Sequence, residues 1–335
     1  MPDACVGPFV SGSQSIDSKV DSVSRLRPPI SEARLHLSSL LESARRGKLT
    51  LVMGILNVTP DSFSDGGRYH ATQDACARAA EMIADGADIL DIGGESTRPV
   101  TFHRTGTQFS VSVQEELDRI MPVISMIAER FPSVPISVDT YKSEVAEAAC
   151  RAGAVMVNDV SAMRADSRMA GVVSEYGVGV CLMHMPGLPG EVGTLDAETD
   201  IITEIRSHLE NRIREAVRAD IPPENIVIDP GIGFGKTVVQ NLEIMRRQRE
   251  LLIDDIPLLI GTSRKSVLGA VLGGAPPEER LEATAASVAI AIANGATIVR
   301  VHDVRQMKRV SQMTDAIVRG WPTHTHDDCR PTPGA

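Results

Sequence analysis

Three stretches of the chain repeat one short pattern: Gly86 precedes ADILDIGGES, Gly153 precedes AVMVNDVSA and Gly295 precedes ATIVRVHDV. Glycine stops a helix because it enters the left-handed conformation without a Cβ clash. The apolar run that follows reads as a strand covered on both faces, and it ends in polar, chemically capable residues. Parallel strands closed into a barrel gather such ends on one rim, so residues far apart in sequence can share one site.

The same reading extends along the chain. TLVMGILNVT, ADILDIGG, PISVDT, VMVNDVS, VGVCLMH, NIVIDPG, PLLIGTS and TIVRVHD are eight strand candidates, and eight strands close a barrel. Between them, Leu117, Ile120, Met121, Ile124 and Ile127 recur at helical spacing, and Ile201, Ile205, Leu209, Ile213 and Val217 step by four. The alternation predicts an α/β fold, a TIM (β/α)8 barrel over residues 49–320, with an open doubly wound sheet as the competing architecture. Residues 1–48 are expected to form a flexible extension and 321–335 a flexible tail. The connections Pro60 to Thr72 and Arg98 to Val113 are long enough to serve as binding loops.

Composition narrows the function classes. With 335 residues and a formal charge of -10, the chain carries no broad basic face for nucleic acid. No uninterrupted apolar run reaches the ~18 residues of a membrane span. Cys5, Cys76, Cys150, Cys181 and Cys329 are scattered without CxxC or metal-ligand spacing, which argues against a disulfide framework and for a cytoplasmic location.

At the strand ends stand Asn57, Asp91, Asp139, Asn158, His184, Asp229 and, beyond Ser263, Lys265, followed by Arg300 and His302. Each carboxylate alone could be a helix cap; the joint occurrence points to a site. Asp139, Asn158 and Asp229 suit an amino-pyrimidinone edge, whose paired N–H donors match a carboxylate. The same set also suits Mg2+ or a general acid and base. Arg300 and His302 alternate on one strand and face one side, where with Asn57 they suit a phosphate or pyrophosphate. Lys265 and Ser266 open a helix that favours an anion, and Phe234 in GIGFGK offers a pocket wall.

The motifs GILNVTPDSFSDGGRY, DIGGESTRP, ISVDT, VNDVSA, IDPGIGFGK, GTSRKS and RVHDV, in this order over about residues 50–318, resemble those of the dihydropteroate synthase family. The resemblance implies condensation of 6-hydroxymethyl-7,8-dihydropterin pyrophosphate with 4-aminobenzoate, yielding 7,8-dihydropteroate and pyrophosphate. It implies that Asp139, Asn158, Asp229 and Lys265 hold the pterin, with Met183 and Arg300 against its ring and Phe234 nearby. Asn57 would ligate Mg2+, and Arg300 and His302 would grip the pyrophosphate. Phe63 and Pro99 would shape the aminobenzoate pocket, Thr97 and Arg98 would bind substrate, Ser266 would receive the aminobenzoate carboxylate, and Asp65, Lys265 and Arg300 would serve catalysis. A homodimer and sulfonamide sensitivity are further implications. The chain departs from the family pattern at Val100, where glycine is usual, and in a longer path between Phe102 and Phe109. A non-catalytic pterin-binding paralogue and a pterin-dependent methyltransferase are the competing functions.

Overall fold

The computed structural model describes residues 31–59, 67–95, 111–189, 191, 193 and 200–320. The chain runs through α1 (Glu32–Arg45), β1 (Leu51–Asn57), α2 (Gly67–Ala84), β2 (Ile89–Gly93), α3 (Val113–Arg130), β3 (Ile136–Asp139), α4 (Ser143–Arg151) and β4 (Met156–Asp159). It continues through α5 (Met169–Tyr176), β5 (Gly179–Met183), α6 (Ile201–Arg218), β6 (Ile226–Asp229), α7 (Val238–Arg246), β7 (Leu259–Ile260), α8 (Ser266–Val271), α9 (Leu281–Ala293), β8 (Ile298–Val301) and α10 (Val304–Val318). The eight strands are parallel in the order β6-β5-β4-β3-β2-β1-β8-β7. A bridge between Ile228 and Leu258, with the Ile228 amide donating to the Pro257 carbonyl at 3.0 Å, closes the ring. The fold is a TIM barrel.

Strand alternation sorts the side chains. Val52, Leu56, Leu90, Ile92, Val138, Val157, Val180, Leu182, Ile228 and Val299 point outward into the main core beneath the helices. The inward positions divide along the barrel axis. Leu51, Met53, Ile89, Met156, Cys181, Val227, Leu259 and Ile298 form a separate apolar cluster with Ala33, Leu37, Leu41 and Ala44 of α1.

Within the stretch expected to form a flexible extension, residues 1–30 lie outside the described residues, but residues 32–45 depart from that expectation. Residues 32–45 are a helix, capped by the Ser31 side chain, which accepts from the Arg34 amide at 3.2 Å. The reason is burial: Leu37, Leu41 and Ala44 lie four and three residues apart on one helix face and cover the apolar amino-terminal mouth of the barrel. The tail expected at 321–335 lies outside the described residues.

In α6, Ile201, Ile205 and Leu209 are buried as expected, but Val217 is exposed and Ala216 is buried in its place. A step of four residues advances ~40° beyond a full turn, so a strict four-residue stripe drifts off the buried face.

Candidate active site

The polar half of the barrel interior begins one inward position above the apolar cluster. Asp91 stands opposite Ile55 and Ser137 in register, Asp139 opposite Asn158, and Met183 opposite Asp229. Arg300 enters from β8, where it pairs with Met53. Its guanidinium spans two carboxylates: Nε donates to Asp91 Oδ2 at 2.6 Å and Nη2 to Asp139 Oδ2 at 2.7 Å. Asn158 Nδ2 also donates to Asp91 Oδ2, at 3.0 Å. Since an ionised carboxylate only accepts, Asp91 fixes the Asn158 amide with its carbonyl oxygen turned elsewhere.

Two acceptors remain in this ring. Among the described residues, Asp91 Oδ1 and Asp139 Oδ1 are buried without a hydrogen-bond partner. An unmatched buried acceptor is costly, on the order of 1–3 kcal/mol, and a ligand bearing N–H donors relieves that cost. Burial pushes the Asp139 carboxyl up to about 7 against the opposing pull of Arg300, with Asp91, Glu116 and Asp159 adding to the rise. On Arg300 itself, burial works against the charge, but Asp91 and Asp139 outweigh it and hold the guanidinium above its ordinary value.

The opposite wall comes from β6 and the turn after β7. Asp229 Oδ1 accepts from the Gly231 amide at 2.7 Å, which leaves Oδ2 for another donor. Gly231 has a φ of +69°, and a Cβ there would lie 1.9 Å from the His184 carbonyl oxygen, so only glycine fits this turn. Lys265 Nζ donates to the Ile232 carbonyl and sits 4.8 Å from the centroid of the Phe234 ring. Burial lowers its ammonium to about 8, with Asp229 resisting. The left-handed Arg264, φ 58°, turns the chain so that Lys265 enters the barrel, and Arg264 is anchored by a two-point fork on Asp303 at 3.1 and 2.5 Å.

His302 Nδ1 and Ser263 Oγ are 3.0 Å apart, and the Ser263 hydroxyl also accepts from the His302 amide at 3.2 Å. Asn57 ends β1, the neighbour of β8, and Ser266 is the first residue of α8. The site is thus a ring of carboxylates and cations around an apolar floor, with acceptors on one wall and a lysine on the other.

Residues 53–302 match the sequence profile of the family described as pterin binding enzyme. The chain belongs to the pterin binding enzyme family. Dihydropteroate synthase of Bacillus subtilis (strain 168) is 46% identical over 275 residues, covering 82% of this chain and 91% of that protein. The solved structure of dihydropteroate synthase from Clostridium difficile in the presence of pteroic acid superposes with a TM-score of 0.75 at 45% identity, covering 82% of this chain and 98% of that one. The Xanthomonas albilineans enzyme with 4-aminobenzoic acid gives 0.74 at 39% identity, covering 82% and 95%.

Within this pterin binding enzyme, the structure gathers Asp139, Asn158, Met183, Asp229, Phe234, Lys265 and Arg300 around one space, and sets Asn57, Ser266 and His302 at its β1, β7 and β8 side. Phe63, Asp65, Thr97, Arg98 and Pro99 lie outside the described residues. Asp91, given no role by the sequence, is the fully buried hub that joins Asn158 to Arg300. Its inward parity in ILDIG was the available signal.

His184, read from sequence as a rim residue, instead points outward between β5 and α6, because Met183 takes the inward position. Its ring meets His208 edge-on at 4.9 Å. Burial, with Lys236, His208 and Arg164 adding, drives its pKa down to about 2.

Proposed function

We propose that this protein is a dihydropteroate synthase, joining the 6-hydroxymethyl carbon of 6-hydroxymethyl-7,8-dihydropterin pyrophosphate to the amino nitrogen of 4-aminobenzoate. The observation that carries this reading is the pair of buried, unmatched acceptors on Asp91 and Asp139 within a ring completed by Asn158, Asp229, Lys265 and Arg300. A pterin presents several N–H donors and ring acceptors on one flat edge. Asp139, Asn158 and Asp229 meet the donors, Lys265 donates to a ring acceptor, and Met183 and Arg300 bracket the ring.

In the reaction the C–O bond to pyrophosphate breaks and its electron pair leaves with the pyrophosphate. The amine nitrogen then bonds to the electron-poor carbon and releases a proton. Arg300 and His302 stabilise the departing anion, and the buried carboxylates stabilise positive charge left on the pterin. No side chain forms a covalent intermediate. Phe63 and Pro99 serve the aminobenzoate side, where Ser266 receives the carboxylate, Thr97 and Arg98 contact substrate, and Asp65 adds a further acceptor for the pterin cation.

The donor chemistry fits Mg2+ bound jointly by protein and substrate. Among the described residues no group of three His, Cys, Asp or Glu side chains is placed to hold a metal. Asn57 would supply one hard oxygen ligand to that ion. When bound, the ion supplies charge neutralisation for the leaving group.

Ile290 on α9 and Met313 and Ile317 on α10 are each more than half exposed. Met313 and Ile317 are one helical turn apart, and this apolar face supports a homodimer packed through the last barrel helices. Among the described residues no helix is long and apolar enough to cross a membrane.

Purified protein incubated with both substrates and Mg2+ is expected to form 7,8-dihydropteroate. Pterin binding without product would replace the synthase by a non-catalytic pterin-binding protein.

A further inference from the structure

Beside the substrate-facing ring lies a buried charged cluster that the proposed chemistry does not use. Lys142, three residues past Asp139, donates from Nζ to Glu95 Oε2 at 2.7 Å, to Glu116 Oε2 at 2.6 Å and to the Val111 carbonyl at 2.7 Å. An ammonium has three N–H groups, so all are engaged within the protein. Glu95 in turn accepts from the Val111 amide at 3.3 Å and from the Tyr141 hydroxyl at 3.2 Å. The Lys142 and Glu95 side chains are 13% and 15% exposed and that of Glu116 is 1% exposed. One cation therefore ties together the segments that end β2, start α3 and follow β3.

Two features distinguish this cluster from an ordinary surface ion pair. Two carboxylates share one ammonium, and burial holds Glu116 above its ordinary value in spite of Lys142, so the arrangement is costly unless its geometry serves something. The two strands it joins are also the ones whose carboxylates, Asp91 and Asp139, share Arg300.

We propose that Lys142 is a positioning residue for Asp139, acting through Glu95 and Glu116 to hold the ends of β2 and β3 so that Asp91 and Asp139 can both engage Arg300. The inference rests on the reading of Asp139 as a pterin-binding group. The charged groups facing Asp139 are Arg300 from β8, Asp91 from β2, Asp159 from β4, Glu116 from α3 and Lys265 from the turn after β7. Removal of Lys142 leaves Glu95 and Glu116 without their counter-ion and raises the negative potential at Asp139.

The test compares the full-length chain with Lys142→Met, Lys142→Arg and Glu116→Gln. Binding of 6-hydroxymethyl-7,8-dihydropterin pyrophosphate is measured by calorimetry, and both KM values and the pH profile of kcat/KM by turnover. Lys142→Met is expected to weaken pterin binding at least about tenfold, with the KM for 4-aminobenzoate held within about twofold. The acid limb of its profile moves to higher pH, whereas Lys142→Arg restores that limb and Glu116→Gln moves it to lower pH. A folded Lys142→Met protein with unchanged pterin affinity and an unmoved acid limb overturns the proposal, as does an equal loss toward both substrates with an unmoved limb. Should that variant not fold, an unmoved limb in Glu116→Gln overturns it. Pterin binding by the unsubstituted protein without dihydropteroate formation defeats the synthase reading alone, and calorimetry then still decides the role of Lys142. Absence of pterin binding by the unsubstituted protein defeats both.

Discussion

At one end of the barrel Leu51, Met53, Ile89, Val227, Leu259 and Ile298 meet Leu37 and Leu41 of α1, while slightly further along the same strands the inward residues are Asp91, Asp139, Asn158, Asp229 and Arg300. The backbone scaffold is common to both ends. At the α1 end every inward side chain finds an apolar partner, and burial converts directly into stability. At the other end acceptors remain unmatched and carboxylates sit away from water. The stable end offsets the cost of the polar one, and a cluster of charges that would disrupt a small core can persist here.

The sharpest way to break this division is Arg300→Met. It removes the cation shared by two buried carboxylates and is expected to lower kcat/KM by about 100- to 1,000-fold. Thermal unfolding should also show a loss of about 3–5 kcal/mol from the stranded charges. Steady-state kinetics and calorimetry check both. Leu41→Ala at the plugged end should cost about 2–5 kcal/mol of stability in denaturant unfolding. Its kcat/KM at a temperature where the protein stays folded should be unchanged, and a large loss there would show that the two ends are not independent.

Asp229→Asn replaces an acceptor-only carboxylate with a group that also presents a donor. Titration calorimetry should show pterin binding weakened by about 10- to 100-fold, the value of a hydrogen bond to a charged group.

The pH profile sharpens the polar end further. A carboxyl held at about 7 keeps its proton to higher pH than usual, so activity that needs ionised Asp139 falls as pH drops through 7. An ammonium lowered to about 8 loses its charge early, so activity that needs charged Lys265 falls as pH rises through 8. A bell-shaped kcat/KM is expected, and residual activity of Lys265→Met should lack the alkaline limb. At the small end, Ser31→Ala removes the cap of α1 and should cost about 1 kcal/mol in the same unfolding experiment.

The sequence made the barrel and most of the ring readable because both depend on local signals. Glycine follows α2, α4 and α9, strand parity is fixed at two, and Asp139, Asn158, Asp229 and Arg300 each close an apolar run. The inward parity of Asp91 was readable but its role as a hub was not, since its partners arrive from 67 and 209 residues away. The plug was missed for a related reason. The buried face of α1 has no partner within its own segment, and its meaning appears only once the amino-terminal mouth of the barrel exists. His184 shows the opposite case, where a residue at a strand end has the wrong parity for the interior.

The turn at Gly231 carries a consequence for inhibitor design. Because any side chain there would meet the His184 carbonyl oxygen, the wall beside Asp229 offers few substitutions that leave the fold intact. A compound seated on Asp229 and this turn would press on a surface with little freedom to mutate, and resistance would have to arise elsewhere.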